Sequence, residues 1–180
     1  MVGFAHGHFL PRGWRKVARR KAGASAAAFL ITLTGLLGRL LTYEAGVTDV
    51  HTKLEQFLND RRGVCQDFAH LMLAVCRSRN IPARYVSGYV YRGSDEPTTH
   101  AEQATHAWVE CLLPDGRWRG FDPTNNLLAN DHYVKAHIGR DYTDVVPTRG
   151  VYRGSAKHEL QVEVRIQAES VSDRATLHPA

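Results

Sequence analysis

Apolar positions recur at helical spacing in the first half of the 180-residue chain and at strand spacing in the second. Phe29, Leu33, Leu36, Leu37 and Leu40 lie three or four residues apart, which predicts a core-facing helix over about 29–42. Thr42 to Asp49, with Gly46, reads as an irregular connection. Thr52-x-x-Glu55 is a capping-box pattern ahead of Leu54, Phe57 and Leu58, so a short helix is expected over about 52–60, stopped by Gly63. After Gly63-Val64-Cys65, the residues Phe68, Leu71, Met72 and Val75 fall at i, i+3, i+4 and i+7. That is one clean helical stripe, ending near Asn80 ahead of Ile81-Pro82, and it puts Cys65 at or just before the first turn of a buried helix.

Beyond Pro82 the period changes to two. Arg84 to Tyr91 reads as an amphipathic strand with Tyr85, Ser87, Tyr89 and Tyr91 on one face. Arg92 to Thr105 reads as a polar loop, and a final strand is expected at Leu160 to Ile166. Between them, His106 to Leu113 and Arg117 to Asp122 flank Pro114-Asp115-Gly116. A three-residue loop ending in Gly is a type I turn followed by a bulge. It sets Trp108 opposite Asp122 and Glu110 opposite Gly120, and makes His106 and Asp122 diagonal neighbours on one face, within about 7–8 Å. A two-residue turn would put them on opposite faces.

Composition is that of a globular chain, with 43% apolar and 23% charged residues. The net charge of +5 is unevenly placed. Up to Tyr43 there are seven basic residues and no acidic ones, whereas the remaining 137 carry 16 basic and 18 acidic. The body of the chain therefore has no basic field to gather a polyanion, and no nucleic-acid partner is expected. Three cysteines, Cys65, Cys76 and Cys111, make no disulfide framework and no zinc-ligand spacing. A reducing, cytoplasmic setting is the expectation. His6-Gly7-His8 offers two metal ligands and no more. No metal or other cofactor is expected, and no acidic run has calcium-loop spacing. The basic and apolar stretch 19–38 has the look of an export signal, which keeps export as a minor alternative. Its 17 uncharged residues from Ala22 to Gly38 fall short of the roughly 20 that span a bilayer, so no membrane span is expected.

These positions suggest a chemistry. A thiol at a helix N-terminus sits at the positive end of the helix dipole, which favours the thiolate. An imidazole at His106, held by the carboxylate of Asp122, would complete the activation. Backbone N–H groups around Cys65 and Gln66 are placed to receive a developing oxyanion. Each residue also has an ordinary structural explanation: a buried small hydrophobe, a strand histidine, a turn aspartate. Cys76 and Cys111 are expected to pack in the core.

Four ordered blocks carry a resemblance. They are Gly63-Val64-Cys65-Gln66-Asp67-Phe68-Ala69-His70 with Ile81-Pro82-Ala83-Arg84-Tyr85-Val86-Ser87-Gly88-Tyr89, then Thr105-His106-Ala107-Trp108-Val109-Glu110, then Phe121-Asp122-Pro123-Thr124-Asn125, and lastly Gly139 to Gly154. Together they resemble the bacterial transglutaminase-like family of the papain-like cysteine protease superfamily. The resemblance covers about Leu40 to Ile166 and implies an α+β fold in which the nucleophile helix packs on an antiparallel sheet carrying the His and the Asp. Cys65, His106 and Asp122 fall on the family's catalytic positions. An upstream aromatic or amide can assist the oxyanion in the family, and Tyr43 is the matching candidate.

The expected organisation is a basic tail over 1–28, a catalytic domain over 29–166 and a C-terminal tail over 167–180. The resemblance implies truncation at the N-terminus, because related bacterial chains carry a β-rich domain and more helices before the Cys block. The expected activity is cleavage or transfer of an amide or peptide acyl group through a thioester, with hydrolysis slightly favoured and a protein or peptide as substrate. The alternative is a non-catalytic scaffold on the same fold.

Overall fold

The computed structural model describes residues 25–48, 52–91, 105–146 and 166. Most of the expected basic tail, the His6-Gly7-His8 pair, the polar loop after Tyr91, nearly all of the strand expected at 160–166 and the C-terminal tail lie outside the described residues.

Helix α1 spans Ala26–Leu40, three residues earlier than its apolar period suggests. Ser25 is the reason, since its hydroxyl accepts the Ala28 N–H and caps the first turn. The buried stripe is also rotated: Leu30, Leu33, Thr34 and Leu37 face the core, while Leu40, expected inside, is 40% exposed. Phe29 is half-buried beneath the Arg79 guanidinium, 4.3 Å from its ring centre. No described helix is long and apolar enough to cross a membrane.

Helix α2 spans Leu54–Asp60 and corrects two expectations. Lys53 stands at the N-cap and makes no side-chain cap bond, so the Thr52-x-x-Glu55 capping box does not start the helix. The stop is Arg61, which takes a left-handed φ of 55° and returns its N–H to the Phe57 carbonyl. Gly63 has a different task. A Cβ there would lie 2.6 Å from Asp67 Oδ2 and 2.7 Å from the Phe57 ring, so glycine permits the close packing at the approach to the next helix. Strands β1 (Thr42–Tyr43) and β2 (Arg62–Gly63) pair in parallel across this approach, β1 lying within what the sequence suggested was only an irregular connection.

Helix α3 spans Cys65–Ser78 and buries Phe68, Leu71, Met72 and Val75, the residues of its sequence stripe. Its N-terminus is tied down by Asp67, whose carboxylate accepts the Val64 N–H at 2.9 Å and the Thr48 hydroxyl at 2.6 Å. A tilted Phe57–Phe68 contact joins α2 to α3.

Five antiparallel strands form the sheet in the order β6-β5-β4-β3-β7: β3 is Ala83–Val90, β4 His106–Leu112, β5 Trp118–Asp122, β6 Leu127–Leu128 and β7 Tyr133–Gly139. Between β4 and β5 the Leu113 carbonyl accepts the Gly116 N–H, and Gly116 has φ of 76°. This is the type I turn and bulge expected from the loop, and the register follows it, with Glu110 opposite Gly120 and Val109 opposite Phe121. The core lies between α3 and the sheet, where Tyr85, Ala107, Val109, Cys111 and Phe121 are buried. Cys76 and Cys111 meet there, sulfurs 3.7 Å apart.

The centre of β3 and β4 is buried on both faces rather than one, so the amphipathic expectation for β3 fails. The face away from Tyr85 carries Val86 and Trp108, both at most 1% exposed. Beside them Glu110 is buried between Arg84, at 2.6 Å, and Lys135, and the Arg84 guanidinium lies 4.1 Å from the Trp118 ring centre. Opposed charges keep that carboxylate soluble in a mostly apolar layer.

Candidate functional site

The site is built where the start of α3 meets the start of β4 and the end of β5. Cys65 is the first residue of α3 and is half-buried. First-turn N–H groups have no acceptor within their own helix, so those of Cys65 and Gln66 remain available to a ligand. Gln66 itself is half-buried. Tyr43 pairs with Gly63, two residues ahead of Cys65, and its side chain is 55% exposed.

His106 opens β4, and the hairpin register brings it to Asp122 at the end of β5. His106 Nε2 donates to Asp122 Oδ2 at 2.7 Å. The Cys65 thiol lies close enough to the imidazole to add to the raising of its pKa. With Nε2 engaged by the carboxylate, Nδ1 is the ring nitrogen left for the sulfur. The three residues singled out by sequence are thus brought together, His106 bonded to Asp122 and Cys65 beside the ring.

Asp122 is 0% exposed and fully satisfied. Oδ1 accepts the N–H groups of Thr124 (2.9 Å) and Asn125 (3.2 Å). Oδ2 accepts from His106, from Asn125 Nδ2 (2.7 Å) and from the Tyr133 hydroxyl (2.8 Å). Burial opposes the ionised carboxylate, but these donors and the imidazolium outweigh it, and the acid is held below its ordinary value. The same balance governs His106. Burial pushes the imidazolium down, while hydrogen bonds and charge from Asp122 and Cys65 more than reverse it, leaving the group raised to about 9.

Two rings enclose the imidazole: Trp108 is stacked near it at 6.2 Å between centroids, and Tyr133 is tilted against it at 6.2 Å. Asn125 and Tyr133 were missed as site residues by sequence reasoning. Asn125 stands in a quoted block, three residues after Asp122, where a side chain can return to the carboxylate. Tyr133 lies on β7, a strand the sequence reading passed over although Val134-Lys135-Ala136-His137-Ile138 alternates apolar and polar.

A second histidine behaves in the opposite way. His70, on α3, is pushed down by burial, and its Nε2 accepts the Tyr142 N–H at 3.2 Å. It is a neutral fastener for the segment after β7, including the 3-10 turn Tyr142–Asp144.

The raised His106 makes a prediction about stability. A group whose folded pKa lies above its unfolded value stabilises the fold fully below the unfolded value and loses that contribution as pH rises through the folded one. With values of 6.5 and about 9, the contribution is complete below pH 6.5, fades through about 9 and amounts to about 3 kcal/mol at most. Melting temperature measured from pH 6 to 10 is expected to fall across this interval, and the fall is expected to shrink in His106→Gln.

Comparison with known proteins places this geometry. Residues 21–123 match the model of the transglutaminase-like superfamily. An uncharacterized protein of Mycobacterium leprae is 44% identical over 127 residues, which is 70% of this chain and 45% of that protein. A protein-glutamine gamma-glutamyltransferase of Pseudomonas aeruginosa is 40% identical over 77 residues, covering 39% of this chain and 11% of its own length. The crystal structure of a "Putative Cysteine Protease" from Cytophaga hutchinsonii superposes with a TM-score of 0.62 at 31% identity, covering 74% of this chain and 44% of that one. The chain therefore spans less than half the length of the mycobacterial relative and of this structural neighbour. A helix-and-antiparallel-sheet core of papain-like type, matched by the family model over more than half its length, makes this chain a member of the transglutaminase-like superfamily.

Proposed function

We propose that the chain is a cysteine acyl-transfer enzyme acting on a carboxamide or peptide bond. The observation that carries this reading is the His106 imidazole bonded to the buried Asp122, with Cys65 at the head of α3 close enough to raise the ring's hold on its proton. Cys65 Sγ attacks the carbonyl carbon, and the tetrahedral oxyanion meets the N–H groups at the start of α3. The imidazolium of His106 gives its Nδ1 proton to the leaving nitrogen as the C–N bond breaks, leaving a thioester on Cys65. His106 then takes a proton from the incoming nucleophile, which expels the thiolate. Asp122 keeps the ring oriented and compensates its charge in both halves. Gln66 and Tyr43 are proposed to assist at the oxyanion. Hydrolysis is the favoured outcome because water is always present; an amine in its place gives transamidation, the reaction class named for the Pseudomonas relative.

The experiment is mass spectrometry of the intact chain after mixing with a glutamine-containing peptide pool and rapid acid quenching. An acyl adduct on Cys65, lost with time or on adding an amine, is the expected result. A chain that melts cooperatively yet gives no adduct and no released ammonia or peptide overturns the reading and favours a scaffold.

A further inference from the structure

We propose that Tyr133 is a positioning residue for the site, its hydroxyl clamping Asp122 Oδ2 and its ring walling His106, so that the carboxylate presents one fixed acceptor to the imidazole. This rests on the acyl-transfer reading above.

The first support is where the donors come from. Three of the bonds to Asp122 arise from Thr124 and Asn125, in the turn that Asp122 itself begins. A carboxylate held only by its own turn can swing with that turn. Tyr133 reaches Asp122 from β7, the far edge of the sheet, and so references it to a separate element. Its ring is held in turn by an edge-on contact with Trp108, at 5.3 Å and 80°.

The second support is backbone placement. Pairing of β7 with β3 shifts between Ser87 and Gly88: His137 faces Ser87, Lys135 faces Gly88, and Ala136 is the extra residue. Because side chains alternate, one inserted residue turns everything beyond it to the opposite face. Tyr133 consequently faces Val90, on the side shared with Gly88 and its partner His106; an unbulged strand would have set it opposite Tyr91, on the other side. Gly88 makes the approach possible. A Cβ at Gly88 would stand 2.1 Å from the Val134 carbonyl oxygen and 2.6 Å from the Trp108 ring.

The chemical consequence follows from competition for one oxygen. The phenol hydrogen bond draws on the charge of Oδ2 that would otherwise go to His106. The ionisable groups against the imidazole are Asp122 from β5, Cys65 from α3 and Tyr133 from β7; Trp108 and Asn125 are neutral. Removing the phenol oxygen should make Asp122 a stronger partner, and His106 should hold its proton to higher pH.

The test is the pH profile of Cys65 alkylation by iodoacetamide, followed by mass spectrometry on the full chain, beside thermal melts. Wild type is expected to show an upper inflection from His106 that His106→Ala lacks. In Tyr133→Phe the melt should stay cooperative and the inflection should move up by roughly half a pH unit. Tyr133→Gln, which restores a donor without the ring, should move it back toward wild type. A Tyr133→Phe profile that overlays wild type while His106→Ala differs overturns the proposal, as does a Tyr133→Phe chain that no longer melts cooperatively, since the residue is then structural. If wild type and His106→Ala share one simple thiol profile, the acyl-transfer reading itself has failed, which is a separate outcome.

Discussion

Replacing Cys65 with alanine is expected to abolish adduct formation and to lower turnover by at least roughly 10³-fold, because no other thiol among the described residues stands beside His106. Cys76 and Cys111 cannot substitute. Both are 0% exposed and lie side by side in the core, and burial together with the neighbouring thiol pushes Cys76 well up. Alkylation of the folded chain by iodoacetamide should therefore label Cys65 alone, and His106→Ala should slow that labelling by about tenfold or more. Because Cys65 sits at the head of α3 with a small, half-exposed side chain, Cys65→Ala should leave the melt nearly unchanged. Peptide mapping after alkylation checks the first statement, and peptide hydrolysis or ammonia release checks the loss of turnover. Equal labelling of all three cysteines in both proteins would contradict it.

Asp122→Ala should damage stability and turnover together. The carboxylate is fully buried and receives five hydrogen bonds, from His106, Tyr133, Asn125 twice and Thr124. Deleting it strands those donors, and His106 loses the charge that offsets its burial. A cost of about 3–5 kcal/mol is expected, read as a shift in the urea midpoint. Asp122→Asn keeps the shape and most of the acceptor capacity, so it should cost less stability. It should nevertheless lower turnover by roughly 10³–10⁴-fold, because a neutral amide neither stabilises the imidazolium nor selects its tautomer. The contrast between the two variants separates the structural task of Asp122 from its electrostatic one. In Asp122→Asn, His106 should titrate lower, the direction opposite to Tyr133→Phe.

The parts of the site legible in the sequence were those set by local rules. The α3 stripe placed Cys65 at a helix start because four apolar residues at i, i+3, i+4 and i+7 admit one buried face. The loop Pro114-Asp115-Gly116 fixed parity, and parity is enough to bring two side chains sixteen residues apart onto one face. The misses have a common cause. The buried face of α1 rotated by about one position and took in Leu30 rather than Leu40, because the partner surfaces of α3 and β5, not the helix's own pattern, choose which apolar residues go inside. Strand β7 does carry the alternation that marks a strand, Val134, Ala136 and Ile138 against Lys135 and His137, but these apolar residues end up exposed, and the one-residue bulge that aims Tyr133 leaves no mark in the sequence.

By itself, then, the sequence determined the fold class, the start of the helix that carries Cys65 and the pairing of His106 with Asp122. Helical period, turn chemistry and side-chain alternation act over a few residues and can be read without knowing what packs where. Only the tertiary structure decided that Cys65 comes beside the imidazole, that Tyr133 comes across the sheet to Asp122, and that Asp122 and Cys65 outweigh burial in the hold of His106 on its proton. Those outcomes depend on which donors and charges share a dry space, and residues distant in the chain meet there only after the helix and the sheet have closed on each other.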